Sequence, residues 1–338
     1  MQNTNTIAML VLNHLSQLRS LQRPCIQCAV GVFDGIHLGH RKIIDQMTKS
    51  AGGGKGTSVV ITFDRHPYQV LNPTIHIPIL TRPEQKLALL DSLGIDICVL
   101  INFTKGVASI PPEIWIKDFL WHQMKMDTIF TGEDSFFGKE GKGNIHLLKQ
   151  WSSKLGFSIH QVNTLRIEKS PVSSTIIRNY IAEGNLPSAK KFLGRPYSIV
   201  GKIIPGAGRG RKLGFPTFNL STEIQCLPPA GVYAVQASIV NFVSGIIRTQ
   251  RSGISAVANL GQRPTFKHKN TGPLLEVHFL DGQNIEEITG PACLEITWLR
   301  KIREETAFPS PAKLRAQIEK DVATAKSVFS LCDNASLC

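Results

Sequence analysis

Ile26-Gln27-Cys28-Ala29-Val30-Gly31-Val32-Phe33-Asp34-Gly35-Ile36-His37-Leu38-Gly39-His40 puts an apolar run, three glycines and two histidines into fifteen residues. Ile26–Val32 has the length and apolar content of a buried strand, and Gly39–Lys49 reads as a helix. The stretch is therefore a strand, a glycine-rich turn and a helix. Outward from it the same alternation continues. Gly52–Gly56 reads as a loop, Ser58–Phe63 as a β-branched strand, and Pro83–Leu93 as a helix with Thr81 as its N-cap. Ile95–Ile101, Thr128–Thr131 and Phe157–Val162 read as strands. Glu113–Gln123, Ile145–Leu155 and Ser174–Glu183 read as helices, the last closed by Gly184. This β-α-β-α order predicts an α/β domain with a parallel sheet covered on both faces, a Rossmann-like arrangement.

The texture changes near Leu193-Gly194-Arg195-Pro196. Beyond it come short strands punctuated by Gly and Pro: Ser198–Ile204, Gly231–Ile239, Ile254–Asn259, Leu274–Phe279 and Cys293–Leu299. That pattern predicts an antiparallel barrel or sandwich, closed by an amphipathic helix over Pro311–Val328. A length of 338 residues fits two domains, divided here as 1–190 and 191–338.

Composition narrows the class without naming a partner. The chain is 42% hydrophobic and 19% charged, with a net charge of +13. The charge suits a phosphate-rich ligand, but Lys and Arg are spread along the chain with no dense basic block, so no nucleic-acid partner is expected. No apolar run approaches the roughly 18 residues of a membrane span, and a cytoplasmic location is expected. Among seven cysteines, Cys25-x-x-Cys28 lacks the second pair a zinc site needs, and both are expected to be reduced.

The chemistry lies in the turn. Open parallel sheets bind ligands at the carboxyl ends of their strands. Glycines let backbone approach phosphate closely, and a helix N-terminus adds favourable partial charge. His37 and His40 are placed to donate N–H bonds to phosphate oxygens, although an isolated H-x-x-H also suits a metal pair or two surface histidines. The G-x-F-D-G-x-H-x-G-H string resembles the H-x-G-H nucleotidylyltransferases, and in its extended form the FMN adenylyltransferases. Ser173-Ser174-Thr175-Ile176-Ile177-Arg178 resembles the S-S-T-x-I-R segment of the same family. The resemblance implies that Gly31, Phe33, Asp34, Gly39, Ser173, Ser174 and Thr175 bind ATP, and that His37, His40 and Arg178 stabilise the reacting phosphates. Thr62-Phe63-Asp64-Arg65-His66-Pro67 resembles T-F-D-P-H-P, with Arg65 at the usual proline. Gly132-Glu133-Asp134-Ser135-Phe136-Phe137-Gly138 resembles G-x-D-F-x-F-G, with Asp134 on the nucleotide and Ser135 at the usual phenylalanine.

In the second half, Gly206, Gly208 and Gly210 crowd a loop that is neither a Walker A nor a dinucleotide fingerprint. Gly214-Phe215-Pro216-Thr217-Phe218-Asn219 resembles the G-[FI]-P-T-A-N motif of riboflavin kinases, with Phe218 at the usual alanine. The resemblance implies nucleotide binding by Gly206, Gly208, Gly214 and Pro216, and Mg²⁺ on Thr217 and Asn219, hard oxygen ligands that suit a phosphate-bridging ion. Leu275-Glu276-Val277-His278 resembles the L-E-V-H strand whose glutamate is the base for the attacking hydroxyl. Ala258-Asn259-Leu260-Gly261-Gln262-Arg263-Pro264-Thr265-Phe266 resembles the family's A-N-I-G-x-R-P-T-F loop. Arg303, Glu305 and Phe308 match its R-x-E-x-x-F pattern near the flavin, and Thr289 stands where tyrosine is usual.

The order of the motifs is that of the prokaryotic bifunctional FAD synthetases. The implied function is phosphorylation of riboflavin to FMN and adenylylation of FMN to FAD, with ATP and Mg²⁺. The chain is expected to be a monomer or weak homo-oligomer. Retention of only one activity, or a nucleotide- or RNA-binding regulator without turnover, are the alternatives.

Overall fold

The computed structural model describes residues 9–21, 23–54, 56–206, 208–222, 224–261, 273–280 and 293–334. Two compact units result, one formed by residues up to Ile79 with Gln85–Ser174, the other by Leu80–Glu84 with residues from Thr175 onward.

The first unit is built on a six-stranded parallel sheet in the order β1-β4-β3-β2-β5-β6. Its strands are β1 (Leu10–Leu12), β2 (Ile26–Val30), β3 (Thr57–Phe63), β4 (Ile97–Ile101), β5 (Met126–Gly132) and β6 (Ser158–Val162). Strands β2 and β3 are almost wholly buried, as expected where helices cover both faces of a parallel sheet. From β2 the chain winds outward through β3 and β4. It then returns to add β5 on the other side of β2, so the direction of winding reverses between β2 and β5. That reversal opens a crevice at the carboxyl end of β2, where the glycine-histidine turn begins. Helix Leu38–Ala51 follows and buries Ile44, Met47 and Ala51, residues spaced to lie on one face.

The second unit holds a closed barrel, in the order β10-β13-β12-β11-β14-β9 around the ring. The first unit also holds a two-stranded ribbon, β7 (Arg166–Ile167) with β8 (Ser170–Pro171). The barrel strands are β9 (Ser198–Ile204), β10 (Phe218–Leu220), β11 (Gly231–Val243), β12 (Ile246–Gly261), β13 (Leu274–Phe279) and β14 (Cys293–Arg303), all paired antiparallel. Alternation sends Phe218, Tyr233, Ala258, Leu275, Val277 and Trp298 inward, where all are buried. Phe218 lies 5.0 Å from Phe279, and Tyr233 meets Trp298 edge-on at 5.0 Å. Helix Pro311–Asn334 covers part of the outer face, setting Ala325 and Val328 against Val232, Ala234 and Val257.

Several elements differ from the sequence reading. Strand β2 ends at Val30 and the helix starts at Leu38, since Phe33, Gly35 and Ile36 all take positive φ and break both patterns. The helix expected over 113–123 is one α-turn, Pro112–Ile114, followed by a π-wound segment, Trp115–Gln123. Strands β1 and β10, the β7–β8 ribbon and helix Leu186–Leu193 had no counterpart in that reading.

Candidate active sites

The turn after β2 is held by unusual backbone and by packing. Phe33 (φ 50°) and Ile36 (φ 40°) are both left-handed and buried, a conformation that persists only where surroundings enforce it. A Cβ on Gly31 would press on the Phe33 ring at 3.1 Å. His37 is the helix N-cap: its Nδ1 accepts the N–H of His40 at 3.2 Å. That bond places the ring proton of neutral His37 on Nε2, leaving one side-chain donor. The two imidazoles stack at 3.6 Å with their planes 17° apart, and Phe33 packs edge-on to His40. Burial, then His37, then Lys86 hold His40 well below the ordinary histidine pKa, so His40 acts as a neutral group rather than as a cation.

The second motif arrives at this turn from far along the chain. Ser174 Oγ donates to the carbonyl of Asp34 at 2.9 Å. A Cβ on Gly39 would meet both the His37 ring, at 3.2 Å, and the carbonyl of Val172, at 3.3 Å. Glycine at 39 thus lets the segment before Ser173 and Ser174 close onto the histidine turn. Thr175 is exposed at the start of helix Ser174–Ala182, and Arg178 lies one turn further along it. Phe33 and Asp34 are buried and support the turn from beneath. Asp134 accepts from Thr164 Oγ1 at 3.0 Å, and the neighbouring Glu133 accepts the Thr164 N–H. Ser135 folds back beside Gly132, whereas Phe136 is 71% exposed.

The family-like segment at 62–67 included Thr62 without giving it a role, and Lys86 gave no functional signal in the sequence. Thr62 Oγ1 donates to the Val32 carbonyl at 3.0 Å, and the buried ammonium of Lys86 bonds Val32 O, Thr62 Oγ1 and Phe63 O at 2.8–3.0 Å. Lys86 sits in helix Pro83–Ser92 and resembles, in sequence, any lysine on a solvated face. Cys25 and Cys28 are both free thiols. Cys28 is buried, and burial with nearby Asp127 raises its pKa.

In the barrel, register assembles the candidate site. Asn219 on β10 pairs with Glu276 on β13, and Glu276 pairs in turn with Asn259 on β12. Directly opposed residues share a face, so the three side chains form one row on the outside of the barrel. The row continues through Val232 to Arg303 on β14. The glycine loop folds onto this row. A Cβ on Gly206 would collide with the Asn219 amide, and one on Gly210 with the Phe215 carbonyl and the Thr217 side chain. Gly208 and Gly214 both take positive φ, at 66° and 90°. His278, two residues beyond Glu276 and on its face, contacts the Pro216 carbonyl through Nδ1 at 2.8 Å and packs edge-on to Phe215. It therefore holds the strand entrance that carries Thr217, a role the sequence did not reveal.

Phe218 lies on the opposite side of β10 from Asn219, inside the barrel against Phe279. Its bulk in place of alanine is a matter of core packing. The guanidinium of Arg303 is committed to Asp321, with contacts of 2.8–3.1 Å, and to the Glu304 carbonyl at 2.9 Å. It also lies over the Phe308 ring. Gln317 bonds the same Asp321, so Arg303 fastens the loop after β14 to the terminal helix. Glu305 rests against Gly261, where a side chain would strike its carboxylate. Residues Gln262–Phe266 and Thr289 lie outside the described residues.

Residues 19–176 match the family model for FAD synthetase, and residues 193–329 that for riboflavin kinase. The chain is 34% identical over 305 residues to a bifunctional riboflavin kinase/FMN adenylyltransferase of Buchnera aphidicola, covering 90% of this chain and 94% of the relative. It is 33% identical to the protein of the same description from Haemophilus influenzae, covering 93% and 98%. Among solved structures it is similar to one described as a macrolide-efflux protein from Streptococcus pneumoniae, with a TM-score of 0.77, 28% identity and coverage of 95% and 99%. With both segments matched in order and the relatives aligned nearly end to end, the chain belongs to the bifunctional riboflavin kinase/FMN adenylyltransferase family.

Proposed function

We propose that residues 191–338 phosphorylate riboflavin, residues 1–190 adenylylate the resulting FMN, and the two histidines and the barrel row carry the respective reactions. Riboflavin, FMN and ATP are the substrates, and FMN and FAD the products. The observation that carries the residue assignment is the row Asn219–Glu276–Asn259. It sets a phosphate-side amide beside a carboxylate on the outer face of the barrel.

In the kinase step, Glu276 accepts the proton of the riboflavin 5′-hydroxyl as that oxygen attacks the γ-phosphorus of ATP, and ADP leaves. Gly206, Gly208, Gly214 and Pro216 shape the loop over the nucleotide. Thr217 and Asn219 are the groups suited to Mg²⁺. Among the described residues no cluster of three His, Cys, Asp or Glu could hold a metal by itself. Two neutral oxygen ligands fit an ion that arrives already bound to phosphate, where it would neutralise charge on the γ-phosphoryl group. Asn259 extends the row towards the flavin side, and Arg303 and Glu305 shape the loop there.

In the adenylylation step, a phosphate oxygen of FMN attacks the α-phosphorus of ATP and pyrophosphate leaves. The nucleophile is already anionic, so the protein supplies position and donors rather than a base. His37 donates through Nε2, His40 acts as a neutral donor, and Ser173, Ser174, Thr175 and Arg178 hold the leaving pyrophosphate. Gly31 and Gly39 admit the nucleotide, and Asp134 supports its ribose side. Phe136, exposed beside Ser135, offers the aromatic surface that the serine lacks. We place both reactions in the cytoplasm, in a monomer or weak homo-oligomer without a nucleic-acid partner. Among the described residues no helix is long and apolar enough to cross a membrane.

Incubation of the purified chain with riboflavin and Mg·ATP, with flavins separated by chromatography, tests the whole scheme. FMN should appear first and FAD after it, and FMN supplied alone with Mg·ATP should yield FAD and pyrophosphate. Unchanged riboflavin and FMN would overturn it.

A further inference from the structure

We infer that Lys86 is a positioning residue for adenylyl transfer, tying the glycine-histidine turn to the end of the neighbouring strand and so setting where His37 and His40 meet the triphosphate. The inference rests on the adenylyltransferase reading above. Lys86 is buried, yet its three N–H donors meet three acceptors: Val32 O at 3.0 Å, Thr62 Oγ1 at 3.0 Å and Phe63 O at 2.8 Å. Thr62 Oγ1 donates to the same Val32 carbonyl, so that oxygen receives two donors. Val32 immediately precedes left-handed Phe33, which packs on His40. Phe63 ends β3 and precedes Asp64, whose carboxylate accepts the Phe103 N–H at 2.9 Å. One ammonium thus ties the entry of the turn to the end of β3, and Asp64 links that end to the residues after β4.

Stability alone is a poor reason for such a group. All three hydrogen-bond partners are neutral, and burying a charge without a directly bonded counter-charge costs desolvation energy. What a lysine adds is a fixed geometry and a positive charge beneath a site for triphosphate. The groups facing it are Asp34, Asp64, Cys98 and His40. Burial lowers its pKa to about 8, partly opposed by Asp34, Cys98 and Asp64, so it is charged at neutral pH and loses its proton in the mildly alkaline range. Its charge also helps keep His40 neutral.

The test uses the full chain, with riboflavin phosphorylation as the internal control. K86M should lower kcat for FAD formation from FMN by about 30-fold or more, since displacement of reacting groups by about 1 Å costs about 100-fold. KM for ATP should change less, and the kinase rate should stay within about twofold. In the wild type, adenylylation relative to phosphorylation should fall as pH passes about 8. In K86R, whose guanidinium keeps its proton, that alkaline fall should vanish even if the rate is lower. K86M within about threefold of wild type, or an unaltered alkaline fall in K86R, would overturn the inference. If both variants fail to fold, the wild-type profile decides: a flat ratio from pH 7 to 9 rejects the role. A wild-type chain that makes FMN but no FAD refutes the adenylyltransferase reading itself, which separates that failure from a failure of Lys86.

Discussion

The two sites reach similar tasks by opposite constructions. The proposed adenylylation site is a turn: left-handed residues, a histidine serving as helix cap, a buried lysine and a segment from far along the chain all converge on a few peptide units. The proposed kinase site is a row: Asn219, Glu276 and Asn259 sit on adjoining strands, and ordinary ladder register brings them together. A turn of this kind needs outside support, because its conformation is intrinsically unfavourable. A row inherits its geometry from the barrel and needs only that the strands pair correctly. Local support should therefore matter more at the first site, and the barrel core more at the second.

Four substitutions or conditions break or sharpen that contrast. E276Q should show the largest effect, lowering riboflavin phosphorylation by about 10²–10⁴-fold, the usual worth of a general base. Its conversion of FMN to FAD should stay at the wild-type rate, with both products followed by chromatography. H40A comes next. FAD formation should drop by about 10²–10³-fold, as for loss of a donor to developing charge, while FMN formation survives. Equal loss of both activities in a folded H40A would dissolve the separation of the sites. F218A should act on the core instead: the barrel should lose about 3–5 kcal/mol in chemical denaturation while kinase kcat changes less than about twofold. A large kcat effect would mean that position 218 faces the nucleotide after all. The smallest effect concerns pH. In the unfolded chain His40 binds its proton near the ordinary histidine value of 6.5, but in the folded chain only at lower pH. Its contribution is present above pH 6.5 and lost on acidification below it. The denaturation midpoint of the first unit should fall less between pH 7 and 5.5 in H40N than in the wild type.

Much of this arrangement was legible in the sequence, for identifiable reasons. Long periodic segments such as Leu38–Ala51 and Thr57–Phe63 declare themselves through apolar spacing. The paired motifs at 31–40 and 173–178 pointed to one candidate site, and the Ser174–Asp34 bond joins the two segments in space. Strand β10 was hidden because three residues inside a functional motif carry no period, yet it closes the ring beside β9. The wide winding of Trp115–Gln123 leaves an apolar pattern close to that of an α-helix. Lys86, and the role of His278 within its motif, were illegible for another reason. Each acts on main-chain carbonyls, and a carbonyl leaves no mark in the identity of the residue that bears it. Arg303 shows the converse. Its motif pointed to the flavin, while its guanidinium is engaged by Asp321 on a helix that no local pattern connects to it.

The inward and outward alternation of β13 ties catalysis to the quality of folding. Glu276 stands between Leu275 and Val277, both fully buried in the barrel. Sliding this strand by one residue would bring the carboxylate into the core and a bare aliphatic side chain to the face proposed to phosphorylate riboflavin. A molecule with the strand misaligned would therefore be silent rather than sluggish. In a refolded or heat-stressed preparation, kinase activity then counts correctly threaded barrels: specific activity should track the fraction of molecules with native alignment, while each active molecule turns over at the full rate.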